Sequence, residues 1–178
     1  LIPVSFSGSD ATDIHQRVIN WGFFQGAILF VLIRRSEADK VVGSAAIIAP
    51  GLAVTATHVF DDDLSDIVKG VASIVCFGPT TEKFEFWRIC HINHTKSDDI
   101  SYMSIELSSD INSDWLFRTI SITTRTPKIG EDVSIIGFRF PAINRDANGM
   151  PNLVGNLYAA SGKVSSVYYP IRDSVLMP

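Results

Sequence analysis

The sequence lacks three features that would each point to a class of protein. It has only two cysteines, Cys76 and Cys90, so no disulfide framework is predicted. No apolar run approaches the roughly 20 residues that a membrane-spanning helix needs. Lys and Arg form no cluster, and the formal net charge is -4. We therefore expect a soluble protein whose main partner is neither a membrane nor a nucleic acid.

The two cysteines are expected to stay unpaired. They fall on successive predicted strands that are joined by a turn near residues 79–81. In that hairpin Cys76 is expected to face Glu85 and Phe86, too far along the ladder from Cys90 to form a disulfide. Two free thiols favour a reducing compartment such as the cytoplasm, although they do not decide the localisation.

The hydrophobic pattern is mostly that of β-strands. A length of 178 residues with 46% hydrophobic residues suits one domain or two small packed units. Residues 10–20 are predicted to form a short helix, with Ile14, Val18 and Trp21 on one face. Short apolar runs between turn signals then predict a closed or nearly closed antiparallel barrel. Its six strands are Ala27–Arg34, Val42–Ala49, Leu52–Thr57, Ala72–Phe77, Lys83–Cys90 and Ser101–Leu107.

A second unit with fewer strands is predicted after a polar stretch at residues 108–114. A loop over residues 141–155 separates the first two of its strands. The predicted organisation is an N-terminal segment (1–25), a first barrel (26–114) and a partial second barrel (115–178). A half barrel leaves open edges, so we expect something else to complete it. Its predicted strands are Val133–Phe138, Leu157–Tyr169 and Ser174–Met177.

His58 and Asp99 are the residues most indicative of chemistry. His58 follows an apolar strand and Asp99 begins another. A carboxylate that holds an imidazole makes a proton-transfer device. With the two-residue period of a strand, Asp99 shares the core-directed face of Met103 and Ile105, whereas Asp98 has the opposite parity. Asp99 is therefore expected to be partly buried and Asp98 solvated.

Five segments between residues 43 and 165 carry short motifs that belong together. Taken in their order along the chain, these motifs resemble those of the trypsin/chymotrypsin-like serine peptidases, and are most similar to the HtrA-like and glutamyl-endopeptidase-like branches. Thr57 and Ser101 depart from that pattern, since each stands where the family has a small Ala. The segments are Gly43–Val59 (G-S-A, P-G, T-A-T-H-V), Ile89–His91, Asp99–Leu107, Pro127–Phe138 (P-x-x-G and I-G-F) and Ser161–Ser165.

The resemblance implies an all-β, trypsin-like double antiparallel barrel whose second barrel is incomplete here. It also implies hydrolysis of peptide bonds in a peptide or protein substrate, without a cofactor or a metal. His58 would act as general base and then as general acid. Asp99 would orient its imidazole and stabilise the imidazolium.

The nucleophile of such a triad is missing from the sequence. His58 and Asp99 are 41 residues apart, and the order His, Asp, Ser places the serine near residue 180–190, at about twice that interval. We therefore expect the family's G-x-S-G-G motif just beyond Pro178, and no peptidase activity from these 178 residues alone. Ser161 precedes a glycine, but it lies where the family has a structural strand, so we exclude it.

Two alternatives to a complete peptidase remain open. The first is a non-catalytic protease-like fold that serves as a peptide- or protein-binding module. The second is a two-chain enzyme in which a C-terminal fragment stays docked. We expect no metal site at two places where potential ligands cluster: Cys90 with His91 and His94 provides too few ligands, and the acidic residues 61–63 and 66 lack the spacing of a calcium loop. We expect those acidic residues to form a charged surface loop.

Overall fold

Strands account for most of the chain that can be described. The computed structural model describes residues 11–12, 18–19, 24–35, 39–79, 84–95, 99–108, 118–123, 125–145 and 151–167. Its helix α1 is Leu64–Val68. The strands are β1 Ala11–Thr12, β2 Val18–Ile19, β3 Ile28–Arg34, β4 Asp39–Ala49, β5 Leu52–Ala56, β6 Ser73–Pro79, β7 Phe84–Thr95, β8 Ile100–Leu107, β9 Asp132–Arg145 and β10 Pro151–Lys163.

Strands β3 to β8 form a closed antiparallel barrel, which confirms the all-β prediction. The order around the barrel is β3-β4-β5-β8-β7-β6, and pairing of β6 with β3 closes it. The six predicted strands are all present with shifted ends, and β7 runs on to Thr95. Closure pairs the strand edges with each other, so no ladder of this barrel is left open to another chain.

Strand β3 is buried on both faces, which explains its unbroken apolar sequence. Leu29, Val31 and Ile33 point into the main core of the barrel. Phe30 and Leu32 lie on the opposite face in a second apolar cluster. A strand that is covered on both sides has no position at which a polar side chain reaches water, so the alternation typical of one-sided strands disappears.

The two cysteines are free thiols in different surroundings. Cys76 lies opposite Trp87 in the β6–β7 pair, one residue from the register that we predicted. It is completely buried, and desolvation raises its pKa to about 12, whereas Cys90 is exposed. The buried thiol therefore stays protonated and packs as a small apolar side chain.

The second unit contains a long hairpin in place of the predicted loop. Strands β9 and β10 pair with each other over most of their length. The loop prediction for residues 141–155 is therefore wrong at both ends, where the strands continue to Arg145 and resume at Pro151. Pro141 and Gly155, the bounds of the predicted loop, lie at an irregularity of the β9–β10 register, where a strand tolerates such residues. The predicted strand at residues 174–177 lies outside the described residues.

The helix predicted for residues 10–20 is also wrong where the structure describes that stretch. Ala11–Thr12 and Val18–Ile19 pair as two short antiparallel strands. Thr12, Val18 and Ile19 are β-branched, and such side chains favour the strand over the helix.

The hairpin is attached to the barrel through β4 and β3. The rings of Phe30 and Phe138 stack with centroids 3.6 Å apart, and the Phe138 N–H donates to Ser44 Oγ at 3.0 Å. Several apolar side chains of the described part of this unit are exposed, among them Ile129 and Ile135. In the described part of the chain, no helix has the length and apolar character that crossing a bilayer requires.

Candidate active site

His58 lies on a short 3₁₀ helix, Thr57–Val59, that directly follows β5. Two buried residues, Thr57 and Phe60, anchor this turn, and the Phe60 N–H donates to the Thr57 carbonyl at 3.2 Å. His58 itself points outward. The local sequence thus places two anchors in the barrel core and leaves the imidazole at its surface.

Asp99 lies just before β8 and holds His58 through both carboxylate oxygens. Oδ2 is 2.7 Å from the imidazole Nδ1, and Oδ1 accepts the backbone N–H of His58 at 2.9 Å. An ionised carboxylate can only accept hydrogen bonds, so Nδ1 carries the proton, and in the neutral imidazole Nε2 is then the nitrogen with the free lone pair. The structure therefore brings the two predicted residues together with Nε2 as the nitrogen able to accept a proton.

Hydrogen bonding keeps Asp99 ionised. Its pKa is lowered, first by the backbone N–H of His58 and then by the imidazole of the same residue. Both N–H groups donate to the ionised carboxylate, and these hydrogen bonds stabilise the charged form of Asp99 relative to the protonated form. The carboxylate is therefore available to orient the imidazole at neutral pH.

The expected burial of Asp99 is wrong. Its side chain is 55% exposed and that of His58 is 71% exposed. Asp99 precedes β8 and has a φ of 49°, so the inward and outward alternation that buries Ser101, Met103 and Ile105 does not extend to it. Its neighbour Asp98 lies outside the described residues. In this chain the imidazole and the carboxylate both face solvent.

The acidic run after His58 is more than the charged surface loop that we expected. Asp63 is buried and forms ion pairs with Arg35 and with Lys40, whose Nζ is 3.6 Å from it. The second carboxylate on Arg35 is that of Asp66, at 2.6 Å. These pairs tie the segment after His58 to Arg35, which directly follows β3, and to the start of β4. Sequence reasoning missed Arg35, whose only signal is a cationic residue at the end of an apolar strand.

Gly43 allows β4 to approach the turn that carries His58. A Cβ placed on Gly43 would lie 2.8 Å from Cγ2 of Val59, the residue after His58, and 3.0 Å from its Cγ1. A contact that close forces one of the two to move. The close packing of β4 against this turn therefore explains why the G-S-A motif has a glycine at position 43.

Gly43→Ala is expected to destabilise the protein by about 1–3 kcal/mol, the usual range for overpacking. Because Val59 is the side chain that must move, the backbone amide signals of residues 57–60 are expected to shift most in NMR spectra. Gly162→Ala is the control, since a Cβ at Gly162 meets nothing within 4 Å. Equal stability of the two variants would contradict the close approach of β4 to the turn.

Comparison with known proteins supports the fold. Neuropsin, a serine protease expressed in the limbic system of mouse brain, superimposes with a TM-score of 0.52 over 91% of this chain at 11% identity. Deg5 gives a TM-score of 0.50 over 85% of the chain at 14% identity. The fold is that of a trypsin-like serine protease. The chain spans 66% of neuropsin and 63% of Deg5.

These likenesses are structural and carry no statement about activity. No family model and no curated protein sequence matches the chain. At identities of 11% and 14% the trypsin-like neighbours share the path of the backbone rather than its side chains. A function for this chain must therefore be inferred from the geometry of His58 and Asp99.

The remaining candidates do not join His58 and Asp99. Ser161, which we excluded as nucleophile, lies within β10 opposite Ser134. Cys90, His91 and His94 lie along β7, and among the described residues no group of three or more His, Cys, Asp or Glu is placed to hold a metal ion. Within the same residues, no serine hydroxyl bonds to Nε2 of His58.

Proposed function

We propose that this chain provides the general base and the orienting carboxylate of a trypsin-like serine peptidase that hydrolyses peptide bonds. The observation that carries the proposal is the pairing of Asp99 Oδ2 with His58 Nδ1 at 2.7 Å, which leaves Nε2 as a proton acceptor. The trypsin-like fold supports it. The nucleophile is a serine beyond residue 178, and the substrate is a peptide or a protein.

The chemistry follows from the free nitrogen of His58. Nε2 takes the hydroxyl proton of the serine as its oxygen attacks the scissile carbonyl, and Asp99 stabilises the imidazolium that forms. The imidazolium then gives that proton to the leaving amine, and an acyl-enzyme remains. A water molecule then attacks the acyl group while Nε2 takes its proton. The bond between the acyl carbon and the serine oxygen breaks, the serine oxygen takes back the proton from Nε2, and the acyl group leaves as a carboxylic acid.

The bonding between Asp99 and His58 favours a catalytic role over the alternative of a non-catalytic binding module. Asp99 accepts hydrogen bonds from both the backbone N–H and the ring Nδ1 of His58, and the ring bond fixes the tautomer. A surface that only binds peptides has no need of a fixed tautomer. A docked C-terminal fragment that carries the serine remains part of the proposal, because the exposed apolar side chains of the second unit, such as Ile135, offer it a surface.

Peptide hydrolysis by two polypeptides tests the proposal: these 178 residues, and the same chain extended through the codons that follow Pro178 in its gene. The extended polypeptide is expected to cleave members of a fluorogenic peptide library, and the 178-residue chain is not. His58→Ala is expected to abolish the cleavage. His91→Ala, which removes an exposed histidine from β7, is the matched control and should retain it.

Two results would contradict the proposal in different ways. A folded extended polypeptide that binds peptides without cleaving them favours the binding module. Cleavage by the 178-residue chain, lost in His58→Ala, places the nucleophile within these residues instead of beyond them.

A further inference from the structure

His58 and Asp99 are held in place although little protein surrounds their side chains. Both side chains are more than half exposed, so packing does not fix them. The β5–β8 ladder does not reach them either, because its last pair is Ala56 with Ile100. Their mutual geometry must therefore be set by the residues immediately beneath them.

Two buried hydroxyl groups, those of Thr57 and Ser101, lie immediately beneath His58 and Asp99. Thr57 precedes His58, Ser101 is two residues after Asp99, and their hydroxyl oxygens are 2.8 Å apart in a buried hydrogen bond. Both residues are buried, Ser101 completely. Each stands where the family pattern described above has an alanine, and the two side chains contact each other.

The hydroxyl pair explains why the two departures occur together. A single hydroxyl in this dry position would lack a partner and would carry the full penalty of desolvation, whereas in the pair one hydroxyl donates and the other accepts, so each has a partner. The bond runs beside a second link across the same gap, from the Thr57 N–H to the Asp99 carbonyl at 3.1 Å. The turn and the start of β8 are thus joined twice directly below the exposed imidazole and carboxylate.

The backbone of Asp99 needs such support. Its φ of 49° lies in the left-handed region, which non-glycine residues adopt uncommonly and keep only when their surroundings hold them. Ser101 is anchored in the barrel core two residues later. A bond that ties Ser101 to Thr57 restrains both ends of the segment on which the carboxylate depends.

We propose that the buried Thr57–Ser101 hydroxyl pair is a positioning device that holds His58 and Asp99 in their bonded geometry. It acts through the turn and the strand, and neither hydroxyl touches the imidazole ring. This inference rests on the proposed function for its catalytic meaning. Its structural content, however, is measurable in the 178-residue chain without any peptidase activity.

The test compares Thr57→Val, Ser101→Ala and the double variant by NMR. In both single variants the pKa of Asp99 is expected to rise toward its ordinary value, because the N–H donors that lower it are less well placed. The His58 amide is expected to exchange about five to ten times faster, the factor that corresponds to loss of one hydrogen bond. The double variant should change no more than either single variant, because the bond is removed only once.

Two controls separate positioning from general stability. Thr57→Ser keeps a hydroxyl and is expected to match the unmodified protein in both readouts. Thr55→Val removes a different buried hydroxyl of β5, which donates to the Ser44 carbonyl at 2.8 Å. It should lower the unfolding temperature without changing either the Asp99 titration or the His58 exchange. If Thr57→Val does not fold, Ser101→Ala, which removes a single oxygen atom, provides the same comparison.

The proposal is overturned if Thr57→Val and Ser101→Ala lower the unfolding temperature as Thr55→Val does and leave the Asp99 titration unchanged. Failure of the proposed function is a separate result. In that case the extended polypeptide cleaves no peptide, while the Asp99 titration still responds to loss of the hydroxyl pair.

Discussion

Asp99→Asn is expected to lower kcat of the extended, active polypeptide by about 10⁴-fold, with the fold intact. The carboxylate accepts from both the ring Nδ1 and the backbone N–H of His58. An asparagine has one acceptor oxygen, and its amide nitrogen can only donate. If the oxygen stays on the backbone N–H, the NH₂ faces Nδ1, and the imidazole must carry its proton on Nε2. That nitrogen can then no longer take the proton of a serine.

Asp61→Asn is the matched control for this substitution. Asp61 is an exposed carboxylate three residues from His58, so the change removes the same charge from the same region. It is expected to retain kcat within about twofold, since an exposed charge near the site acts weakly through solvent. Equal losses in Asp61→Asn and Asp99→Asn would mean that general charge near His58, and not the bond to Nδ1, supports the reaction.

The lowered pKa of Asp99 also predicts how this bond responds to acid. The folded-state pKa lies below the unfolded value, so the contribution of Asp99 to stability is complete above the unfolded pKa and is lost as the pH falls through the folded one. Stability curves of the unmodified chain and Asp99→Asn are therefore expected to converge in acid and to separate toward neutral pH.

Phe60→Ala is expected to lower the free energy of unfolding by about 3–5 kcal/mol, the usual cost of truncating a fully buried aromatic ring. Phe60 is completely buried in the main core and its N–H closes the turn that carries His58. The cavity would lie directly behind this turn. Chemical denaturation measures the loss, and the bond between His58 and Asp99 is expected to weaken with it.

Val68→Ala is the control for Phe60→Ala. Val68 is an apolar residue in α1, eight positions further along, and it is 79% exposed. Its truncation is expected to change the free energy of unfolding by less than about 0.5 kcal/mol, as is usual for surface substitutions. A Phe60→Ala variant as stable as Val68→Ala would contradict the placement of the Phe60 ring in the core.

The barrel was predictable from the sequence because its strands are short apolar runs bounded by turn signals, and some of them also alternate. In β8, Ser101, Met103 and Ile105 are buried and the residues between them are exposed, the period that a one-sided strand requires. The sequence also predicted that His58 lies next to Asp99. That prediction came from the order of the motifs that resemble the trypsin-like family, and not from the spacing of the two residues.

The exposure of Asp99 was not predictable from strand parity. Parity applies only within a strand, and Asp99 lies outside β8 with a positive φ that no residue pattern announces. The length of the β9–β10 hairpin was hidden for a related reason. Pro141 and Gly155 usually end strands, and only the register shows that they coincide at an irregularity.

The Thr57–Ser101 bond was likewise hidden. Each substitution taken alone is an ordinary exchange of alanine for a hydroxyl residue. The two side chains of this bond, those of Thr57 and Ser101, come within reach of each other only through the register of β5 against β8, in which Thr55 lies opposite Ser101.

Reaction with a serine-directed fluorophosphonate, followed by mass spectrometry of the labelled peptide, identifies the serine that His58 activates. We expect the extended polypeptide to be phosphonylated on one serine beyond residue 178, and His58→Ala to abolish the labelling. Labelling of a serine within these 178 residues, or labelling that persists in His58→Ala, would contradict it.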